Sequence, residues 1–84
     1  MTKYIHLERE YITIEIHPTL NGYTIFARNH HNDNMVPITQ SIATMLEAVL
    51  PDGYHPHHSS LKAAEKDLQR LAEVNGWAEL TDGV

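Results

Sequence analysis

The segment EYITIEIH, residues 10–17, constrains the fold more than any other part of the sequence. Its isoleucines Ile12, Ile14 and Ile16 alternate with polar or amphipathic side chains, so the two sets face opposite sides of an extended strand. The segment YTIFAR, residues 23–28, alternates in the same way. Two such segments close together in the chain predict an antiparallel hairpin with one buried face.

The dipeptide Asn21-Gly22 predicts where the hairpin turns, because both residues tolerate the positive φ angles of a tight type I′ turn. With a two-residue turn at this dipeptide, Ile16 lies opposite Ala27 on the buried face. Glu15 then lies opposite Arg28 on the other face.

Three ring-bearing residues fall on that second face: Tyr11, His17 and Phe26. Rings at partly exposed sheet positions favour contact with another surface. Either a further strand or helix of this chain covers the three rings, or they form a partner-binding face, and we name them as candidate partner-binding residues. The preceding segment KYIHLERE also alternates, but with opposite parity, which predicts either a separate first strand or one strand bent near Glu8–Glu10.

Two helices are predicted after the polar segment NHHNDN. The first covers residues 39–50 and is stopped by Pro51-Asp52-Gly53, and the second covers residues 60–75, with Ser59 or Ser60 as its N-cap. The apolar face of the first helix comprises Ile38, Ile42, Met45, Leu46 and Val49. That of the second comprises Leu61, Ala64, Leu68, Leu71 and Ala72. Asn75-Gly76 ends the second helix, with Trp77 folding back in a Schellman motif.

The order of elements indicates a single α+β domain over residues 1–84. We expect strands within about residues 3–28, as an antiparallel β-hairpin or three-stranded sheet, followed by two α-helices in a two-layer arrangement.

The charge of the chain favours a protein partner. A formal net charge of −5 argues against the phosphate-neutralising surface that most nucleic-acid-binding proteins use. The absence of cysteine excludes disulfides and thiolate metal sites. Neither a signal peptide nor a membrane span is evident, so we expect a cytoplasmic protein without membrane contact, and homo-oligomerisation stays open.

The segment PDGYHPHHSS, residues 51–60, places His55, His57 and His58 within four positions. Imidazole binds zinc and nickel, so one hypothesis is a metal site formed by these three residues. The spacing matches no recurrent metal motif, and we favour histidines of a loop that are either solvated or in contact with a partner protein. No catalytic constellation is present, so we predict a non-enzymatic protein without a cofactor.

The segments HPTLNGYTI, VLPDGY and LAEVNGW, within residues 11–77, resemble small uncharacterised proteins of temperate phages. Short acidic domains in that set often bind and block a host protein. The resemblance implies a role as an inhibitor or regulator of a host protein, and it assigns no site residue.

Overall fold

The computed structural model describes residues 2–80. Its elements, in chain order, are β1 (Lys3–Ile5), β2 (Ile12–Thr19), β3 (Gly22–Asn29), β4 (Asn34–Pro37), α1 (Gln40–Met45), β5 (His57–His58), α2 (Leu61–Asn75) and β6 (Ala78–Leu80).

Within the described residues, six strands form one antiparallel sheet in the order β4-β3-β2-β1-β6. The same edge of β3 pairs with β4 over its C-terminal half and with β5 near its N-terminus. The α+β class is confirmed, but the sheet is larger than the predicted two or three strands. The missed strands β4, β5 and β6 have two to four residues each, too few for alternation to be recognised.

The hairpin turn lies one residue earlier than predicted. Thr19 pairs with Gly22, so the turn consists of Leu20 and Asn21, and Asn21 adopts the positive φ of 64°. The predicted pairs were therefore wrong by two residues: Ile16 lies opposite Ile25, and Glu15 lies opposite Phe26. Because side chains alternate with a period of two, this shift leaves every strand residue on its predicted face.

The first segment forms a separate strand, which resolves the two predicted alternatives. β1 pairs antiparallel with β2, and the chain turns between them. His6 orders this turn from a buried position: its Nδ1 accepts hydrogen bonds from the amides of Glu8 (3.2 Å) and Arg9 (3.1 Å). Its Nε2–H donates to the Leu46 carbonyl oxygen at 2.9 Å, joining the turn to the chain that follows α1.

The core lies between one face of the sheet and the two helices. It comprises Tyr4, Ile12, Ile14, Ile16, Ile25, Ala27, Ile38, Ala43, Leu46, Leu50, Ala64, Leu68, Leu71, Ala72 and Trp77. The predicted limits of α2 hold closely, since the Ser60 hydroxyl accepts from the Ala63 amide and Gly76 ends the helix at φ 71°. The Trp77 amide donates to the Ala72 carbonyl at 3.0 Å, which confirms the Schellman motif.

Helix α1 ends five residues before its predicted end. Glu47 takes a positive φ of 56°, and the Ala48 amide donates to the Ala43 carbonyl at 2.8 Å, which closes the helix in the same manner as α2. Met45, the last residue of the helix, and Val49, which lies beyond its end, are 70% and 63% exposed instead of lying on a buried apolar face. No helix of residues 2–80 is long and apolar enough to cross a membrane.

Candidate functional site

The sheet face opposite the helices, called the outer face below, gathers most of the ionisable side chains of the sheet. Strand register places its members in three rows across the strands: Ala78, Ile5, Thr13, Arg28 and Met35; Leu80, Lys3, Glu15, Phe26 and Pro37; and His17, Thr24 and His57. Both helices place their buried side chains against the other face. No helix or strand of residues 2–80 therefore covers the outer face.

Glu15 is the centre of the outer face. Its Oε2 accepts hydrogen bonds from the Thr13 hydroxyl (2.6 Å) and from Arg28 Nε (3.0 Å), and its Oε1 accepts from His17 Nε2 (2.8 Å). Only 1% of the residue is exposed, although it lies on the uncovered side of the sheet. Arg28 extends the network by donating from Nη1 to Asp33 in the turn between β3 and β4, at 2.8 Å.

The surroundings of Glu15 favour its ionised form. Burial by itself raises the pKa of this carboxyl, but the hydrogen bonds from Thr13 and His17 and the charges of Arg28 and Lys3 outweigh burial. The pKa of Glu15 is lowered from 4.5 to about 2. The group is therefore a fixed negative charge that organises its donors at neutral pH.

Rings flank this network on the outer face. The edge of the His17 ring packs against Phe26, with centroids 5.9 Å apart and planes at 73°. Tyr11 lies in the turn before β2, where its ring packs against His31 with centroids 4.4 Å apart. The predicted face of Tyr11, His17 and Phe26 therefore exists, with Tyr11 at its end.

A hydroxyl, an imidazole and a carboxylate meet at Thr13, His30 and Glu15, but their hydrogen bonds run in the wrong direction for nucleophilic catalysis. The Thr13 hydroxyl donates its proton to Glu15, so it accepts at 2.8 Å from the Nε2–H of His30. An activated nucleophile would instead donate to the imidazole. Thr13 is also buried, at 6% exposure. The hydrogen bonds among these three residues instead fix the positions of their side chains.

The histidine segment does not remain a loop, because His57 and His58 form β5 and pair with Thr24 and Tyr23. Adjacent strand residues face opposite sides of a sheet. His57 lies on the outer face, with Nδ1 3.1 Å from the Thr24 hydroxyl, whereas His58 points toward α2. His55 is exposed, and its side chain makes no hydrogen bond with the described residues.

His58 forms a hydrogen bond with Asp67 of α2, and the two residues belong to a second polar cluster. The carboxylate accepts from His58 Nε2 (2.9 Å), from the Tyr54 hydroxyl (2.6 Å) and from Arg70 Nη2 (2.6 Å). Burial and the hydrogen bond to Asp67 both raise the pKa of Tyr54, which keeps its hydroxyl a donor. The cluster joins the segment before α2 to the helix itself.

The three histidines are consequently not brought together around one point. Since His57 and His58 face opposite sides of the sheet, they cannot share a metal ion without separating β5 from β3. Across residues 2–80, no group of three or more histidine, cysteine, aspartate or glutamate residues is arranged to hold a metal ion.

Of the six predicted partner-binding residues, the structure places His17, Phe26 and His57 on one face and Tyr11 at its end. His58 points toward α2, and His55 is exposed in the segment before β5, outside the paired strands. Sequence reasoning had placed Glu15 and Arg28 on the outer face but had not recognised them as its organising centre. The available signal was the presence of two opposite charges on adjacent strands of the most regular hairpin.

Comparisons of this chain with protein-family models, with curated proteins and with solved structures found no match.

Proposed function

We propose that this chain is a small, acidic, non-enzymatic domain that binds another protein through its outer face. The observation that carries the proposal is the ordered outer face itself, which lacks any covering helix or strand from residues 2–80. An interface of this kind combines buried polar groups, already paired with each other, with apolar positions at which a partner can pack.

The outer face has both components. Hydrogen bonds hold Arg28 and His17 in fixed positions before any partner arrives, which reduces the conformational entropy that binding would otherwise cost. Around them lie partly exposed apolar side chains, among them Phe26, Ile5 and Leu80. Aromatic residues supply much of the binding energy in protein interfaces.

The specific role that we propose is inhibition or regulation of a host protein in the cytoplasm, as in small phage proteins. Three observations support it: the size of the chain, its net charge of −5 and the absence of cysteine. A domain of this size can block a partner simply by covering part of its surface, because a standard interface needs only about 800 Å² from each side.

The test is capture of a partner from host lysate by the immobilised protein, followed by measurement of its affinity. We expect saturable binding of one protein by the wild type and a loss of at least about tenfold in affinity for Phe26→Glu. The matched control is Val74→Glu, which places the same charge on an exposed position of α2, 63% exposed in the wild type.

The melting temperature of each variant is measured first, so that loss of binding is not confused with unfolding. If Phe26→Glu unfolds the domain, Phe26→Ser replaces it. Equal loss of binding in Val74→Glu, or unchanged binding in a folded Phe26 variant, would place the interface away from the outer face and contradict the proposal.

A further inference from the structure

The outer face carries cationic side chains of the kind that bind carboxylates. The face carries two cations, Lys3 and Arg28, against one carboxylate, Glu15, for a net charge of +1, whereas the whole chain carries −5. Glu15 is almost completely buried and already accepts from three donors. Asp33, at the margin, is bonded to Arg28 and brings the local charge to neutrality.

Three histidines can make this neutral surface positive. His17 faces Glu15, the Phe26 ring and, across the strands, Thr24. Its side chain is 32% exposed, and that of His30 is 47% exposed.

The other two histidines also face polar groups. His30 faces Thr13 and, at 4.0 Å, Glu15, and His57 faces the hydroxyls of Thr24 and Thr19. Histidine is the side chain whose charge ordinarily changes between pH 5 and 8.

Each of these imidazoles has one ring nitrogen that no described group uses. His17 and His30 bond through Nε2, leaving Nδ1, and His57 bonds through Nδ1, leaving Nε2. In the protonated ring both nitrogens carry a hydrogen, so the second nitrogen becomes a charged donor. Charge-assisted hydrogen bonds to carboxylates are about twice as strong as neutral ones.

We infer that the outer face binds an acidic protein segment, and that it binds this segment more tightly as the pH falls from 8 to 6. The inference rests on the proposed function, since it names the chemistry of the partner at the same face.

The experiment selects peptides from a random display library on the folded protein at pH 6 and measures their dissociation constants at pH 6 and pH 8. Amide chemical shifts identify the face that each peptide contacts. We expect outer-face binders rich in aspartate and glutamate, with affinity roughly tenfold weaker at pH 8 and weakened by added salt.

A double variant tests the histidines directly. His17→Gln with His57→Gln retains a donor toward Glu15 but cannot gain charge, so the affinity ratio between the two pH values should fall to about twofold. His55→Gln is the matched control, because His55 is exposed and belongs to none of the strand rows that form the outer face, and its ratio should equal that of the wild type. If the double variant is unfolded, His57→Gln alone is compared and should lower the ratio by a smaller amount.

The outcomes separate the inference from the proposed function. Outer-face peptides without acidic enrichment, or a pH ratio that the histidine variants leave unchanged, would overturn the inference and leave the proposed function standing. Peptides that contact only other surfaces, or none at all, would overturn both. Preferential binding of a thymidine oligonucleotide over every selected peptide at the outer face would overturn both as well.

Discussion

One residue on each face of this sheet is almost completely buried, and the two reach this burial by different means. On the core face, Ile14 is fully buried beneath the helices. On the outer face, Glu15 is 1% exposed with no helix above it, because Thr13 and His17 of its own strand and Arg28 of the neighbouring strand lie around it and bond to it. A side chain can therefore be removed from water within a single sheet layer if its neighbours are long and polar.

The two kinds of burial have different energetic consequences. Apolar burial stabilises the fold in proportion to area, at about 25 cal/mol per Å². A buried carboxylate stabilises it only while its partners remain, because the desolvation cost nearly offsets the attraction. The core face should therefore respond to lost volume, and the outer face to lost charge or lost donors.

The largest expected effect is on the core face. Leu68→Ala should lower the free energy of unfolding by about 3 to 5 kcal/mol, because Leu68 is fully buried and its truncation leaves a cavity. Chemical denaturation measures this change. Val74→Ala on the exposed side of the same helix is the control and should change stability by under about 0.5 kcal/mol. Similar values for the two variants would mean that α2 does not pack as described.

Glu15→Gln tests the outer face and should cost about 2 to 3 kcal/mol at pH 7, the order of magnitude that a pKa lowered from 4.5 to about 2 implies. The folded state holds the ionised form more strongly than the unfolded state. The stabilisation from Glu15 is thus complete above about pH 4.5 and is lost as the pH falls toward 2.

Denaturation of wild type and Glu15→Gln across this pH range tests whether the stabilisation from Glu15 decreases as the pH falls. The difference in stability between the two proteins should shrink steadily as the pH falls from 4.5 to 2. A constant difference through the acid range would show that the carboxylate is not held by its donors.

Gly22→Ala should cost about 2 kcal/mol and separate β5 from β3. A Cβ at Gly22, whose φ is 154°, would collide with the carbonyl oxygen of His58. The effect should appear as faster hydrogen exchange at the Ile25 amide, which donates to the Pro56 carbonyl. Gly53→Ala isolates the cost of positive φ alone, about 1 kcal/mol, since a Cβ there meets no atom within 4 Å.

The smallest expected change in stability distinguishes two histidines of the same segment, His58 and His55. His58→Ala should destabilise by about 1 kcal/mol, because Asp67 loses one of its three side-chain donors. His55→Ala should change stability by under about 0.5 kcal/mol, since its exposed side chain makes no such bond. Thermal melts at pH 7.5 check both variants, and equal effects would contradict the placement of β5.

Local patterns in the sequence predicted the central hairpin and α2 because each of these elements carries several sequence features that indicate the same structure. The alternation of Ile12, Ile14 and Ile16 determines which residues are buried even though the turn lies one residue earlier than expected. Helix α2 carries an N-cap, an apolar stripe and a glycine end, and these agree with one another. By contrast, α1 ends at Met45 because Glu47, two residues later, takes a positive φ, and glutamate has no preference for that conformation that would predict it.

The sequence alone determined the two faces of the hairpin, the limits of α2 and the acidity of the chain, since each follows from neighbouring residues or from composition. Only the tertiary structure decided that His57 and His58 form a strand and face opposite sides, that Asp67 is buried, and that Thr13, His17 and Arg28 converge on Glu15. Apart from those of Thr13 and His17, which lie on the same strand as Glu15, these contacts join residues on different elements. Their free energy depends on distance and burial, which no local pattern of residues encodes.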